Sequence, residues 1–266
     1  MTRYLEAGSL HAPPLLLLHD GAWGGSSDVT WSDCILPLAK NFHVFAPDFL
    51  GFGGSSKITA FDQSSYTPRI EQLLAFVAHL GIDAPVHVAG SSYGGSVALR
   101  LVADGRLPLA SVVSIGGSGG KWKTPIMIEE LGRWDGSRED LLRVVRYLRD
   151  DADIAQEQLE RRLYWATRPG HYRSLASAGM PIPDALRTSI ADDWPASLAE
   201  SNVPTLLIAG DRDDLFDPEW PDHVAASLGS AGIVRVDARH SPNLDHPEPI
   251  VHLIASHALE EAGARF

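Results

Sequence analysis

The sequence predicts an α/β fold: a mostly parallel, open sheet flanked by helices, with a helical segment inserted between two of its strands. Three observations carry this. Short apolar runs recur, each ending in a turn signal: LLLLHDG, FHVFAPDFLG, PVHVAGSS, LASVVSIGGSGG, PTLLIAGDRD and GIVRVDARH. Continuous runs of this length suit strands buried on both faces, as in a parallel sheet. Helical patterns separate several of them, which is the alternation of βα units. Between the fourth and fifth runs, residues 121–190 hold no strand-like stretch but show helical patterning, charge and aromatic side chains.

Taken in order, only about ten residues precede PPLLLLHD, room for one strand, so the expected sheet has seven strands. RIEQLLAFVAHLG sets Ile70, Leu73, Leu74, Val77 and Leu80 on one helical face, with Gly81 as its stop. Ser137 followed by Asp140 and LLRVVRYL reads as a capped helix start, a variant of the capping box. DIAQEQLERRLYWAT reads as a second helix, ended by Arg168-Pro169-Gly170. The resulting division is a core over 1–120 and 191–266, with 121–190 as a helical lid over the carboxyl edge of the sheet.

Composition narrows the function classes. A chain of 266 residues buries a sizeable core as one large domain, or as one domain with an insertion. A formal charge of −12 disfavours nucleic acid, whose phosphates need a face rich in Lys and Arg, and disfavours an anionic membrane. The single cysteine, Cys34, permits no internal disulfide and no cysteine metal cluster. The N-terminus has no apolar stretch long enough for a signal peptide, and Leu15 to Leu18 is too short to span a bilayer. A cytoplasmic location, no metal and no cofactor are expected, with a small molecule as partner; homo-oligomerisation is left open.

The chemistry begins at Gly90-Ser91-Ser92-Tyr93-Gly94, which fits G-x-S-x-G and selects Ser92. The motif follows the strand PVHVAG and precedes the helical pattern GGSVALRLVAD, the strand–turn–helix setting of a nucleophile elbow. Side chains two residues either side of the serine would collide with neighbouring strand and helix. The turn lifts the hydroxyl clear of the sheet and aims the Tyr93 N–H and the positive helix end at one spot. Ser91 supports the turn. A serine hydroxyl needs a base, and the base an orienting acid. Both follow in chain order: LLIAGDRDDLFDP runs into a turn with Asp211, Asp213, Asp214 and Asp217, and VDARHSPNLDHPEPI into a loop with His240 and His246.

With these motifs the chain resembles the α/β-hydrolase family over nearly its whole length. The family's acid loop, G-x-x-D-x-x-x-P, nominates Asp213. Its histidine loop, G-H-x-x-x-x-E-x-P-E, nominates His240, with Arg239 for glycine and Asp245 for glutamate; His246 with its Pro-Glu neighbours starts the last helix. LLLLHDGAWGG resembles the family's H-G-x-x turn, which implies a second oxyanion donor from Gly21 beside Tyr93, although Asp20 stands where glycine is usual. PDFLGFGGSSK matches D-x-x-G-x-G-x-S and reads as structural turns.

Within that family the chain is most similar to the meta-cleavage-product hydrolases, which break a carbon–carbon bond in ring-fission products of aromatic degradation. The placing of the lid and WSDCILPLAKNFHVFAPDFLGFG carry the likeness. It implies that Arg162, in DIAQEQLERRLYWATRPG, holds a substrate carboxylate, with Asp33 and Trp165 near the substrate. Asp33 and Ser91 stand for asparagines, Ser241 for tryptophan and Asp20 for glycine. A carboxylesterase or lactonase on the same scaffold is therefore an alternative, and a ligand receptor with little turnover another. Dehalogenases and epoxide hydrolases need a carboxylate at position 92. Trp122, Trp134, Tyr147, Tyr164 and Trp165 either cover the pocket or pack the lid onto the core.

Overall fold

The computed structural model describes residues 1–59, 63–150, 152–177 and 192–263. Among these, seven strands form one sheet: β1 (Tyr4–Ala7), β2 (Pro14–Leu18), β3 (His43–Pro47), β4 (Val86–Ser91), β5 (Leu109–Ile115), β6 (Thr205–Gly210) and β7 (Ala231–Val236). Their order is β1-β3-β2-β4-β5-β6-β7. β1 runs antiparallel to β3, with Tyr4 opposite Pro47, and the other pairings are parallel. Seven is the number that the short N-terminal segment predicts.

The leucine run of β2 shows why the central strands read as unbroken apolar stretches. Leu16 and Leu18 face one core with Val88 and Val112, and Leu15 and Leu17 face the other with Ala89 and Val113. Alternate residues point to opposite faces, and both faces are covered. β7 departs from that expectation. It is the last strand in the order, and Gly232, Ile233 and Arg235 are exposed.

Helices α1 (Ser27–Thr30), α2 (Ser32–Leu38), α3 (Thr67–Leu80) and α4 (Tyr93–Asp104) precede β5. In α3, Ile70, Leu73 and Val77 are buried as expected and Phe76 joins them, while Leu74 and Leu80 are only partly buried. Gly81 ends the helix in the left-handed conformation, φ +66°. Between β5 and β6 lie α5 (Arg138–Leu148), α6 (Ala152–Ala166) and α7 (His171–Ala176). The Ser137 hydroxyl accepts from the Asp140 N–H at 3.0 Å, the cap that the sequence predicts. α6 stops short of Arg168-Pro169-Gly170. The far end of the 121–190 span lies outside the described residues.

Leu141, Val144, Val145 and Leu148 of α5 and Leu159 of α6 join the core that holds α3 and α4. At roughly 1.5–3 kcal/mol for each fully buried aliphatic side chain, these helices are docked firmly on the sheet's helical layer. After β6 come α8 (Trp220–Ala225), α9 (Pro242–Asp245) and α10 (Pro247–Gly263), the last starting just after His246 as expected. Among the described residues no helix is long and apolar enough to cross a membrane.

Candidate active site

β2 is flanked by β3 and β4, the next two strands of the chain, so successive crossovers leave it in opposite directions. Such a reversal opens a crevice beyond the carboxyl ends of the strands. The turn after β2 and the elbow after β4 meet there. Ser92 lies between β4 and α4 at φ 55° and ψ −115°, a backbone that an L-residue adopts only under strain. A side chain at Gly90 would strike the Gly94 backbone, and one at Gly94 the Leu18 carbonyl, which is the steric reason for both glycines.

The Ser92 hydroxyl donates to His240 Nε2 at 2.7 Å, and His240 Nδ1–H donates to Asp213 Oδ2 at 2.8 Å. The other Asp213 oxygen accepts the Leu215 N–H at 2.9 Å, so the carboxylate cannot swing. Phe216 stacks on the imidazole with ring centroids 5.5 Å apart, and His240 is fully buried. The rival groups lie elsewhere. Asp211, Asp214, Asp217 and His246 are exposed, Asp214 pairing with Arg239 and Asp217 accepting from the Glu219 N–H.

On the opposite side, a Cβ added to Gly21 would fall 2.7 Å from that of Tyr93, so the turn after β2 packs directly on the residue following Ser92. His19 anchors this turn. Its Nδ1–H donates to the Asp20 carbonyl at 2.6 Å, and its Nε2 accepts the Phe49 N–H at 2.9 Å. Burial lowers its pKa and keeps it neutral, as those two roles require. His171 does the same for the other end of the turn, accepting the Gly24 N–H at Nε2 (3.0 Å) and donating to the Gly51 carbonyl (3.2 Å). Its burial pushes its pKa down to about 4.

The three residues expected near a substrate each engage the protein or the solvent in this structure. Arg162 is fully buried, and its Nη1 and Nη2 donate to the Asp20 oxygens at 3.0 and 2.7 Å. Burial alone would raise the Asp20 pKa, but the charge and hydrogen bonds of Arg162, helped by Thr30, hold it at about 2. Asp33 is exposed on the first turn of α2, because the buried side of that helix is taken by Cys34, Ile35 and Leu38. Trp165 points toward the N-terminal segment, its indole N–H on Asp28 at 3.1 Å and its ring 4.8 Å beneath the Arg3 cation. The other aromatics mostly pack: Trp134 and Tyr172 on Trp23, Trp122 on His223, and Tyr164 is exposed.

Sequence reasoning missed the polar chain that joins these loops. Ser91 Oγ donates to Asn243 Oδ1 (3.0 Å), Asn243 Nδ2 to the Thr30 carbonyl (2.8 Å), and Thr30 Oγ1 to Asp20 Oδ2 (2.6 Å), where Arg162 takes over. All five side chains are buried. The histidine loop is further tied to the end of α5, by Arg149 Nε to Asp245 at 2.9 Å and by the Ser241 N–H to the Leu148 carbonyl at 3.0 Å. One signal was available for part of this: Asp20 and Ser91 were both departures from the family pattern, and both are members of the chain.

The same architecture recurs in known proteins. The chain is 27% identical over 260 residues to the 2-hydroxy-6-oxo-6-(2'-aminophenyl)hexa-2,4-dienoic acid hydrolase of Metapseudomonas resinovorans, covering 96% of this chain and 86% of that one. It is 24% identical over 259 residues to Lipase 1 of Psychrobacter immobilis, covering 91% and 75%. Among solved structures, the 2-hydroxy-6-oxo-6-phenylhexa-2,4-dienoate hydrolase of a Rhodococcus species superposes with a TM-score of 0.83 at 24% identity, over 96% of this chain and 94% of that one. Residues 15–253 match the model of the alpha/beta hydrolase family, and with the sheet order and the elbow already described, this chain belongs to that family.

Proposed function

We propose that the chain is a cofactor-independent serine hydrolase acting on a small, largely apolar and neutral carbonyl compound, an ester or lactone. The observation that carries it is the unbroken line Ser92 Oγ–His240 Nε2–Asp213, at 2.7 and 2.8 Å, on a strained elbow. Nδ1 of His240 carries its proton toward Asp213, which leaves Nε2 free to take the serine proton as Oγ attacks the carbonyl carbon. The oxyanion forms against the N–H groups of Gly21 and Tyr93, the latter at the positive end of α4. His240 then returns the proton to the leaving group, and water, deprotonated by the same imidazole, releases the acyl group from Ser92. Residues 121–190 act as the lid of this site, with Trp134 and Tyr172 bringing apolar surface onto Trp23, two residues beyond Gly21.

The neutral substrate is supported by the Arg162–Asp20 pair, since a guanidinium already held by a carboxylate offers little to a second one. A second reading is carbon–carbon cleavage of an acidic ring-fission product, favoured by the name of the 27% identical relative. Purified protein screened against aryl esters, lactones and ring-fission acids separates the two. Fluorophosphonate labelling of Ser92, absent in Ser92→Ala, separates both from a receptor that hardly turns over.

A further inference from the structure

The two peptide planes that flank Gly21 are both pinned, the one before it by His19 on the backbone carbonyl of residue 20 and the one after it by the Asp20 side chain. The Asp20 carbonyl belongs to the same peptide unit as the Gly21 N–H, and it accepts from His19 Nδ1 at 2.6 Å. In a trans peptide the C=O and N–H point in opposite directions, so holding the oxygen down on His19 turns the Gly21 N–H away from it. On the far side of Gly21, the Ala22 N–H donates to Asp20 Oδ1 at 3.0 Å. That oxygen and its twin are in turn gripped by Arg162, and Oδ2 also accepts from Thr30. The α6 backbone closes on the same turn, because a side chain at Gly24 would strike the Arg162 carbonyl.

Stability is a poor explanation for this arrangement. A fully buried ion pair is commonly no better than a well-packed apolar pair, and here the Arg162 Nε is buried with no partner. What the pair does supply is a fixed orientation, since a forked guanidinium on a carboxylate defines a plane. We infer that the Asp20 side chain, which fixes the peptide beyond Gly21 while His19 fixes the one before it, is a positioning residue for the Gly21 donor, and that it acts as the resident occupant of the Arg162 guanidinium, keeping that cation closed to a ligand's carboxylate. The kinetic part of this rests on the serine-hydrolase reading; the occupancy part does not.

The experiment uses the full chain with three changes: Asp20→Asn, Asp20→Gly, and Asp20→Gly combined with Arg162→Met. Asp20→Asn keeps the shape but loses the charge, and kcat for p-nitrophenyl butyrate should fall by about tenfold or more while KM stays within about threefold, the pattern of a contact made in the transition state. Asp20→Gly opens the fork. Added sodium formate should raise its Tm and recover part of its kcat, whereas sodium chloride at equal ionic strength should not. The preference for the p-nitrophenyl half-ester of glutaric acid over the neutral butyrate should rise by roughly tenfold in Asp20→Gly, as the freed guanidinium takes the acid. The combined variant should ignore formate and lose that preference.

A folded Asp20→Asn enzyme with wild-type kcat overturns the positioning role. A Tm of Asp20→Gly indifferent to formate overturns the occupancy role. Should Asp20→Gly fold only poorly, its refolding yield with and without formate is the measure, and equal yields count against the proposal. Wild-type protein that neither turns over the butyrate nor takes fluorophosphonate overturns the hydrolase reading instead, and the formate response still decides who occupies Arg162.

Discussion

Ser91 and Asn243 join the two loops that must meet for catalysis: the Ser91 hydroxyl donates to Asn243 Oδ1 at 3.0 Å, fully buried, one residue before Ser92 and three after His240. Removing the hydroxyl leaves the amide oxygen without that partner inside the protein. Ser91→Ala should therefore cost roughly 1–3 kcal/mol of stability, read by denaturant unfolding. Turnover should fall far less than for the neighbouring serine, and labelling by fluorophosphonate should persist.

Ser92→Ala and His240→Ala should each remove more than about 10³-fold of the turnover, and by nearly equal amounts, since the pair works as one unit. Asp213→Asn should also lower the rate sharply. His246→Ala and Asp217→Asn should leave kcat nearly unchanged, because both side chains are exposed away from the triad line. Equal losses for His240→Ala and His246→Ala would refute the proposed base.

Arg162→Ala breaks a buried pair from one side and strands the Asp20 carboxylate. The expected loss is about 3–5 kcal/mol of stability, measured by urea unfolding. Neutral and acidic substrates should be affected alike. A loss confined to acidic substrates would show that the guanidinium reaches the ligand after all.

Acid should weaken the fold first through the buried histidines His19 and His171 and then through Asp20. His171 titrates at about 4 in the native state against an ordinary 6.5, so it is the unfolded chain that binds the proton first. Stability from this group is complete above pH 6.5 and is lost as pH falls toward 4, by about 3 kcal/mol in all. Asp20, held at about 2 against 3.8, adds a further loss below pH 4. Unfolding free energy measured between pH 7 and 4 should fall in wild type, and the slope should flatten in His171→Gln, which keeps an acceptor but no titrating ring.

Cys34 should resist iodoacetamide in the native protein. Burial, with Asp33 adding to it, pushes its thiol up to about 12, so almost no thiolate exists at neutral pH. Modification at the unfolded rate would mean that the α2 face opens readily.

The sequence by itself determined the sheet, the elbow and the order of the candidate triad. Those signals are local: the continuous apolar run Leu15 to Leu18, glycines two residues either side of Ser92 where Cβ atoms would clash, and turn residues closing strands before Asp213 and His240. It could not decide what Arg162 binds. The spacing of an arginine on a helix says which face it lies on, not which carboxylate waits there, and Asp20 is 142 residues away in the chain. Only the packing of α6 on the turn after β2 brings the two together. The same holds for Trp165, whose partners Arg3 and Asp28 lie on the N-terminal side, and for His171, whose ring holds Gly24 and Gly51. Buried polar groups find partners wherever the fold delivers them. The tertiary structure therefore settled the pairings that close and align the site, while Ser92 was legible from its own motif and Asp213 and His240 from the resemblance of their loops to the family's.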